Sequence, residues 1–171
     1  MKTIDKLSKV FENSKEVTFN DNSKIIIMSD CHRGTGTWGD DFLKNENIFI
    51  AALKYYYNND YAYIELGDGD ELWENKCMKH IISTHKEVFK IMSNFYKKNR
   101  FHMLYGNHDI VKRKKRFRKK TMTKYYEDYN EEYHSLFPGI NVTEGLILKH
   151  ESGNKIFLTH GHQGDFLNDN I

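Results

Sequence analysis

The chain has 171 residues, a formal net charge of +2, and 39% apolar and 14% aromatic residues. This composition excludes general disorder and is sufficient for a domain with a sizeable core. Two cysteines are too few for a disulfide framework, and no apolar run approaches the roughly 20 residues of a membrane span. Since the N-terminus does not resemble a signal peptide, we predict a cytoplasmic location.

Three short apolar runs, at residues 24–30, 61–68 and 101–109, are separated by segments long enough for helices. Apolar residues in each separating segment recur about every 3.6 positions, which predicts a helix in each gap. Strand and helix alternate, so we predict an α/β fold with a parallel sheet whose ligand sites lie beyond the carboxyl ends of the strands. The first twenty residues predict a short helix and a strand.

The remainder of the chain predicts a helix followed by a hairpin. A basic and then mixed-charge stretch after residue 109 is predicted to be helical to about Leu136, where Pro138-Gly139 ends it. Residues 144–150 and 155–161 then predict an antiparallel hairpin with a glycine-containing turn. Since no linker or repeat interrupts the pattern, we interpret residues 1–171 as one domain.

Each predicted strand is followed by side chains that can bind a metal ion. In chain order these are Asp30 and His32, Asp68, Asn107 with His108, and His160. If the strand conformation continues through residue 32, Asp30 and His32 point to one side while Cys31 faces away. Nitrogen and oxygen ligands without thiolate favour Mn, Fe, Zn or Ni over a structural zinc site.

Each of these motifs also has an ordinary structural interpretation. Asp-x-His occurs often by chance, Gly67-Asp68 is typical of a turn, and Asp109 is a plausible helix cap. His160-Gly161-His162 is compatible with a solvated loop. The independent interpretations do not explain why all four motifs occur in this order, each at the end of an apolar run.

Together these motifs resemble the calcineurin-like metallophosphoesterases, over residues 24–162. The motifs are Asp30-x-His32, Gly67-Asp68, Gly106-Asn107-His108-Asp109 and His160-Gly161. The resemblance implies an α/β/β/α sandwich and a hydrolase of phosphoesters or pyrophosphates that uses two divalent ions, Mn above all. It places Asp30 and His32 on the first metal, Asp68 between the two, and Asn107 with His160 on the second. His108 would be the general acid or a phosphate contact, oriented by Asp109.

A weaker resemblance concerns the branch that contains the UDP-2,3-diacylglucosamine pyrophosphohydrolases. Glu71 and Trp73 stand where that branch has an acid and a tryptophan after Gly-Asp. The branch also carries a helical insertion that covers the substrate, close to the position of the basic segment described below. We expect the substrate to be a phosphorylated small molecule or a nucleotide.

The family pattern continues with a further Gly-His-x-His motif and with strands that complete the sandwich. Gln163 stands where a last histidine would follow His162. We therefore expect an N-terminal fragment of a longer gene product, without the C-terminal part of the fold. A catalytically impaired metal-binding fragment is an alternative hypothesis, and a homo-oligomer would cover the exposed sheet edge.

Two further residues near the motifs are predicted to contact substrate. Arg33 can hold a phosphate through two parallel hydrogen bonds, although a solvated surface arginine is an equal alternative. His162 is the second predicted contact. We interpret the histidines outside the motifs as surface or structural residues, namely His80, His85, His102, His134 and His150.

Residues 112–120 form the most basic segment of the chain, with Lys or Arg at eight of nine positions. The first interpretation is a solvated helix face, and the second is a rim that attracts an anionic substrate. The third is a nucleic-acid-binding module that contacts phosphates. Only Phe117 interrupts the run, so it offers no aromatic platform for bases, and we do not favour the third interpretation.

Overall fold

The computed structural model describes residues 3–127, 129 and 131–163. Its helices are α1 (Thr3–Asn13), α2 (Glu46–Asn58), α3 (Met78–Thr84), α4 (Lys86–Lys97) and α5 (Lys115–Thr121), with short 3-10 turns at Leu43–Asn45 and Ile110–Arg113. Its strands are β1 (Lys15–Phe19), β2 (Ile25–Met28), β3 (Ala62–Leu66), β4 (Phe101–Leu104), β5 (Lys124–Glu127), β6 (Glu132–Ser135), β7 (Val142–Thr143), β8 (Gly145–His150) and β9 (Lys155–Thr159). Among these helices none has the length and apolar character needed to cross a membrane.

The predicted parallel sheet is confirmed. Strands β2, β3, β4 and β7 are neighbours in this order, and every pair is parallel. Helix α2 connects β2 to β3, and α3 with α4 connects β3 to β4. A second sheet has the order β1-β8-β9, in which β8 and β9 form the predicted antiparallel hairpin and β1 pairs parallel to β8.

The core lies on both faces of the first sheet, because side chains alternate along its strands. On β3, Tyr63 joins the large apolar cluster that includes α2 and α4, whereas Ile64 joins a smaller cluster with Leu146 and Leu148 of the second sheet. Helix α1 lies on the outer face of the second sheet, where the rings of Phe11 and Phe157 pack with their centroids 5.4 Å apart. The layers therefore form the expected α/β/β/α sandwich.

Two predicted helices differ from the structure. The helix expected to continue to about Leu136 ends at Thr121, and a hairpin of β5 and β6 follows. Cross-strand ring contacts stabilise this hairpin, including Tyr126 with Tyr133 at 5.2 Å between centroids. The helix expected between β3 and β4 is divided into α3 and α4 at His85.

His85 is a structural residue, as predicted for the histidines outside the motifs. Its ring is completely buried and lies 2.8 Å from an Asp40 carboxylate oxygen and 2.9 Å from one of Glu46. These contacts connect the helix break to the loop that precedes α2. Asp40 also accepts the backbone N–H of Gly36 at 2.8 Å, so its contacts fix the shape of that loop.

Candidate metal centre

The predicted ligands lie on four loops that follow β2, β3, β4 and β9. Three of them, Asp30, His32 and Asp68, have left-handed backbone conformations, with φ of 55°, 48° and 49°. Such values are uncommon outside glycine and are concentrated at functional sites, where the surrounding structure enforces them. Strand β2 ends at Met28, so the strand conformation assumed through residue 32 does not occur.

Asp30 and His32 nevertheless lie close to each other, because backbone hydrogen bonds hold their loop in place. Their backbone N–H groups donate to Gly67 O at 3.2 Å and Asp68 O at 2.9 Å, which holds the β2 loop against the β3 loop. His32 Nε2 lies 3.8 Å from Asp30 Oδ1. Cys31 faces the core, as expected, and burial raises the pKa of its thiol to about 12.

The potential ligand atoms form two groups of three that share Asp68. One group contains Asp30, Asp68 and His160, the other His32, Asp68 and His108, and within each group the ligand atoms lie within 4.8 Å of one another. We call these groups the two triads. The triads divide the residues differently from the resemblance, which pairs Asp30 with His32 and leaves His108 for catalysis. Which residue binds which ion stays a prediction.

Asp68 and His160 form the best-defined contact in the triads. His160 Nε2 lies 3.1 Å from Asp68 Oδ2, while its Nδ1 lies 3.0 Å from the carbonyl oxygen of Leu66. Burial alone would lower the pKa of His160, but the Asp68 carboxylate raises it to about 9. Burial likewise opposes ionisation of Asp68, yet its hydrogen bond with His160 and the backbone N–H of His108 lower its pKa.

The triads require glycine at two neighbouring positions. A Cβ atom on Gly106 would lie 2.1 Å from Asp68 Oδ1, and one on Gly67 would lie 2.7 Å from His160 Cγ. Gly67 also has φ of 84°, a conformation that favours glycine. The glycines of both motifs therefore permit the close approach of the β3 and β4 loops.

Glu71, rather than Asp109, contacts the ring of His108. A Glu71 carboxylate oxygen, Oε2, lies 2.6 Å from His108 Nδ1 and 3.2 Å from His32 Nδ1. Asp109 instead accepts the backbone N–H groups of Gly106 at 2.7 Å and Gly69 at 3.2 Å. The predicted orientation of His108 by Asp109 is therefore wrong, because consecutive side chains in this loop point in different directions.

Arg33 is completely buried and is not available to substrate. Its Nε donates to Asp70 at 2.7 Å and its Nη2 to Glu65 at 2.6 Å. Both predictions for Arg33, a phosphate contact and a solvated surface residue, are wrong. The acids that bind it stand on β3 and in the β3 loop, so no signal near position 33 indicates them.

Lys112 is also completely buried, although it stands in the most basic segment of the chain. Its Nζ lies 2.6 Å from Asp70 and 2.7 Å from Asp109. We call this set the buried ion network; its members are Arg33, Glu65, Asp70, Asp109 and Lys112.

The rest of the basic segment is partly structural and partly exposed. Arg118 donates to three carbonyl oxygens, those of Ile140 at 3.0 Å, Lys112 at 2.7 Å and Arg113 at 2.6 Å. The interpretation as one solvated helix face is therefore wrong for Lys112 and Arg118. The remaining Lys and Arg side chains are exposed, namely Arg113, Lys114, Lys115, Arg116, Lys119 and Lys120.

The other predicted site residues lie beside the triads. Asn107 is mostly buried in the β4 loop, between Gly106 and His108. His162 is buried as well, and its ring centroid lies 5.7 Å from that of His160. The predicted roles of Asn107 as a ligand and of His162 as a substrate contact stay predictions.

The residues of the triads fit divalent metal ions. They consist of carboxylates and imidazoles alone, which match the ligand preferences of Mn, Fe, Zn and Ni. Arg33 and Lys112 form their ion pairs with acids of the buried ion network and not with the acids of the triads. A cation would therefore replace the proton of His160 as the positive partner of the Asp68 carboxylate.

Comparison with known proteins identifies a family. A family model described as calcineurin-like phosphoesterase matches residues 23–170, a range that includes all four loops of the metal centre. No curated protein and no solved structure matches the chain at a significant level. The weaker resemblance to the UDP-2,3-diacylglucosamine branch stays a prediction.

Proposed function

Because the chain belongs to the calcineurin-like phosphoesterase family, we propose that it hydrolyses a phosphoester or pyrophosphate bond with two divalent cations, preferably Mn²⁺. The observation that supports two cations rather than one is the position of Asp68, whose carboxylate belongs to both triads. A shared carboxylate suits cations about 3.5–4 Å apart, the separation used by two-metal hydrolases. We assign Asp30, His32, Asn107 and His160 to the other ligand positions.

When bound, the two cations would neutralise the phosphate and activate the attacking water. His108 lies beside the proposed cation sites, and its ligand nitrogen is within 4.8 Å of the ligand atoms of His32 and Asp68. We assign it the general-acid role, in which Nε2 gives its proton to the leaving oxygen as the P–O bond breaks. Asp109 acts indirectly, because it holds the backbone of the β3 and β4 loops.

The substrate class follows from the chemistry of the centre and from its surroundings. A phosphorylated small molecule or a nucleotide carries the negative charge that two cations attract. The exposed lysines and arginines of α5 follow the β4 loop in the chain and favour the approach of anions.

The proposal is tested by hydrolysis of 4-nitrophenyl phosphate and bis(4-nitrophenyl) phosphate with Mn²⁺. We expect Mn²⁺-dependent release of nitrophenol that Asp68→Asn and Asn107→Ala abolish. Trp38→Phe serves as the control, since Trp38 is fully exposed and should leave the rate unchanged. Full activity of Asp68→Asn, or equal rates with and without metal, would contradict the proposal.

A further inference from the structure

A groove of about 610 Å³ lies beside the metal centre, between helix α1, strand β7 and the loops that follow β4 and β9. Sites for small molecules commonly have volumes of about 300–1,000 Å³. We propose that this groove binds a second phosphate group of the substrate, so that the preferred substrate is a sugar or a nucleoside with two phosphates. This inference rests on the phosphoesterase function proposed above.

The groove adjoins the metal centre because the same loops supply residues to both. Tyr105 lines the groove and precedes Asn107 by two positions, and Gln163 lines it three positions after His160. The ring centroids of Tyr105 and His162 are 6.1 Å apart, and those of His162 and His160 are 5.7 Å apart. A substrate that places one phosphate at the triads can therefore extend its other end into the groove.

A chain of hydrogen bonds fixes the floor of the groove. The Tyr105 hydroxyl donates to Glu144 Oε2 at 2.8 Å, and Gln163 Nε2 donates to Glu144 Oε1 at 3.1 Å. Gln163 Oε1 in turn accepts the backbone N–H of Gly161 at 3.2 Å, which connects the floor to the loop of His160. Both oxygens of the Glu144 carboxylate are thus engaged within the protein, and the floor is rigid before a substrate binds.

Positive charge predominates around the groove. Its cationic lining residues are Lys6, Lys9 and Arg113, and Glu144 is the one acid among the described residues that line it. The Arg113 guanidinium acts on the Tyr105 hydroxyl, where it opposes the rise in pKa that burial and Glu144 cause. Ammonium and guanidinium groups bind phosphate oxygens through charge-assisted hydrogen bonds. The charge of the groove therefore suits a phosphate group.

Helix α1 makes the groove a feature of this chain rather than of its family. The family match begins at residue 23, whereas α1 ends at Asn13. The helix packs closely on β8, since a Cβ atom on Gly145 would lie 2.7 Å from Val10 Cγ1. Lys6 and Lys9 therefore stand on a helix that is anchored to the second sheet.

The groove contributes to binding rather than to the chemical step. The two cations proposed at the triads neutralise the phosphate that is hydrolysed, so the cations of the groove suit a separate phosphate on the same molecule. Contacts with that second phosphate are the same in the ground state and in the transition state. They should therefore lower KM and leave kcat little changed.

Steady-state hydrolysis with Mn²⁺ compares bisphosphates with monophosphates. One pair is fructose 1,6-bisphosphate with fructose 6-phosphate, and the other is adenosine 3′,5′-bisphosphate with adenosine 5′-phosphate, so the pairs distinguish a sugar from a nucleoside. We expect KM to be about tenfold lower for the bisphosphate in at least one pair. Equal KM values within both pairs would overturn the inference.

Substitution of the exposed cations tests which residues bind the second phosphate. Lys9→Gln and Arg113→Gln should each raise KM about tenfold more for the preferred bisphosphate than for its monophosphate, and Lys9→Glu should have a larger effect. Lys97→Gln is the matched control, because Lys97 is exposed at the end of α4, near the amino ends of the strands. A ratio of the two KM values that Lys9→Gln and Arg113→Gln leave unchanged would contradict the inference.

Calorimetric titration of the metal-free protein tests the groove without turnover. At least one of the two bisphosphates should bind about tenfold more tightly than its monophosphate, and Lys9→Glu should remove this difference. Equal binding of bisphosphate and monophosphate in both pairs would overturn the inference. If wild type hydrolyses none of the four phosphates with Mn²⁺, the proposed function fails, while the difference in binding still decides the role of the groove.

Discussion

Two groups of charged side chains lie next to each other at the carboxyl ends of the first sheet, and they differ in how their charge is balanced. The buried ion network contains Arg33 and Lys112, which neutralise most of the charge of its acids inside the protein. The two triads contain acids and histidines alone. The network is therefore a self-contained structural element, whereas we propose that the triads bind external cations.

The same loops supply both groups from positions one or two residues apart. The β2 loop contributes His32 to a triad and Arg33 to the network, and the β3 loop contributes Asp68 and Asp70 in the same way. The network therefore lies directly behind the metal centre and fixes the loops that carry its ligands. The first expected consequence is that stability depends on one group and metal binding on the other.

The largest effect on stability is expected from Lys112→Met. Removing the ammonium group takes a cationic partner from each of the buried acids Asp70 and Asp109, and breaking a buried ion pair typically costs about 3–5 kcal/mol. Urea unfolding measures the loss. Lys114→Met, an exposed substitution in the same basic segment, should change stability by less than about 0.5 kcal/mol. Similar losses in both variants would show that Lys112 is solvated.

Metal binding should weaken markedly in Gly106→Ala. The added Cβ would lie 2.1 Å from Asp68 Oδ1, so the shared carboxylate must move. We expect Mn²⁺ affinity to fall about 10- to 100-fold, as measured by calorimetric titration. Gly39→Ala is a suitable control, because the nearest atom to its Cβ would be 3.8 Å away. Unaltered affinity in Gly106→Ala would contradict the described approach of the two loops.

The pH dependence of Mn²⁺ binding should identify His160 as a metal ligand. Its pKa is raised to about 9, so below that pH the imidazole is protonated and must lose its proton before it can bind a cation. Affinity should therefore increase about tenfold per pH unit up to about pH 9 and then become constant. His160→Asn should remove this dependence. A slope that persists in the variant would indicate another titrating group.

The smallest effect on stability is expected from neutralising the exposed surface of α5. Replacing Lys115, Arg116, Lys119 and Lys120 with glutamine should leave the unfolding free energy and kcat nearly unchanged. KM for an anionic substrate should increase and lose part of its salt dependence. Metal-independent binding of single-stranded nucleic acid that these substitutions abolish would instead favour the nucleic-acid hypothesis.

The sequence predicts the parts of the fold that depend on local pattern. Apolar runs identify β2, β3 and β4, and the polar residues at their ends identify Asp30, Asp68 and His108 as neighbours in space. The helix expected up to Leu136 is wrong because β5 and β6 depend on contacts between strands, such as Tyr126 with Tyr133. A hairpin that depends on such contacts leaves no recognisable helical or strand period in the sequence of so short a segment.

The residues that support the metal centre are harder to predict. Arg33 and Lys112 look like surface residues, because the acids that bury them stand on other loops and strands. Glu71 stands beside a family motif without any local indication that it contacts two histidines. Their roles depend on how the β2, β3 and β4 loops meet, which only the folded chain shows.

The proposed two-metal centre depends on Asp68, whose carboxylate would contact both cations. Free Mn²⁺ gives a six-line electron paramagnetic resonance signal in solution, so its loss on addition of protein counts the ions bound. We expect two Mn²⁺ ions per wild-type chain, loss of both in Asp68→Ala, and no change in Asp21→Ala, which replaces an exposed acid distant from the centre in the sequence. Two ions bound by Asp68→Ala as tightly as by wild type would contradict it.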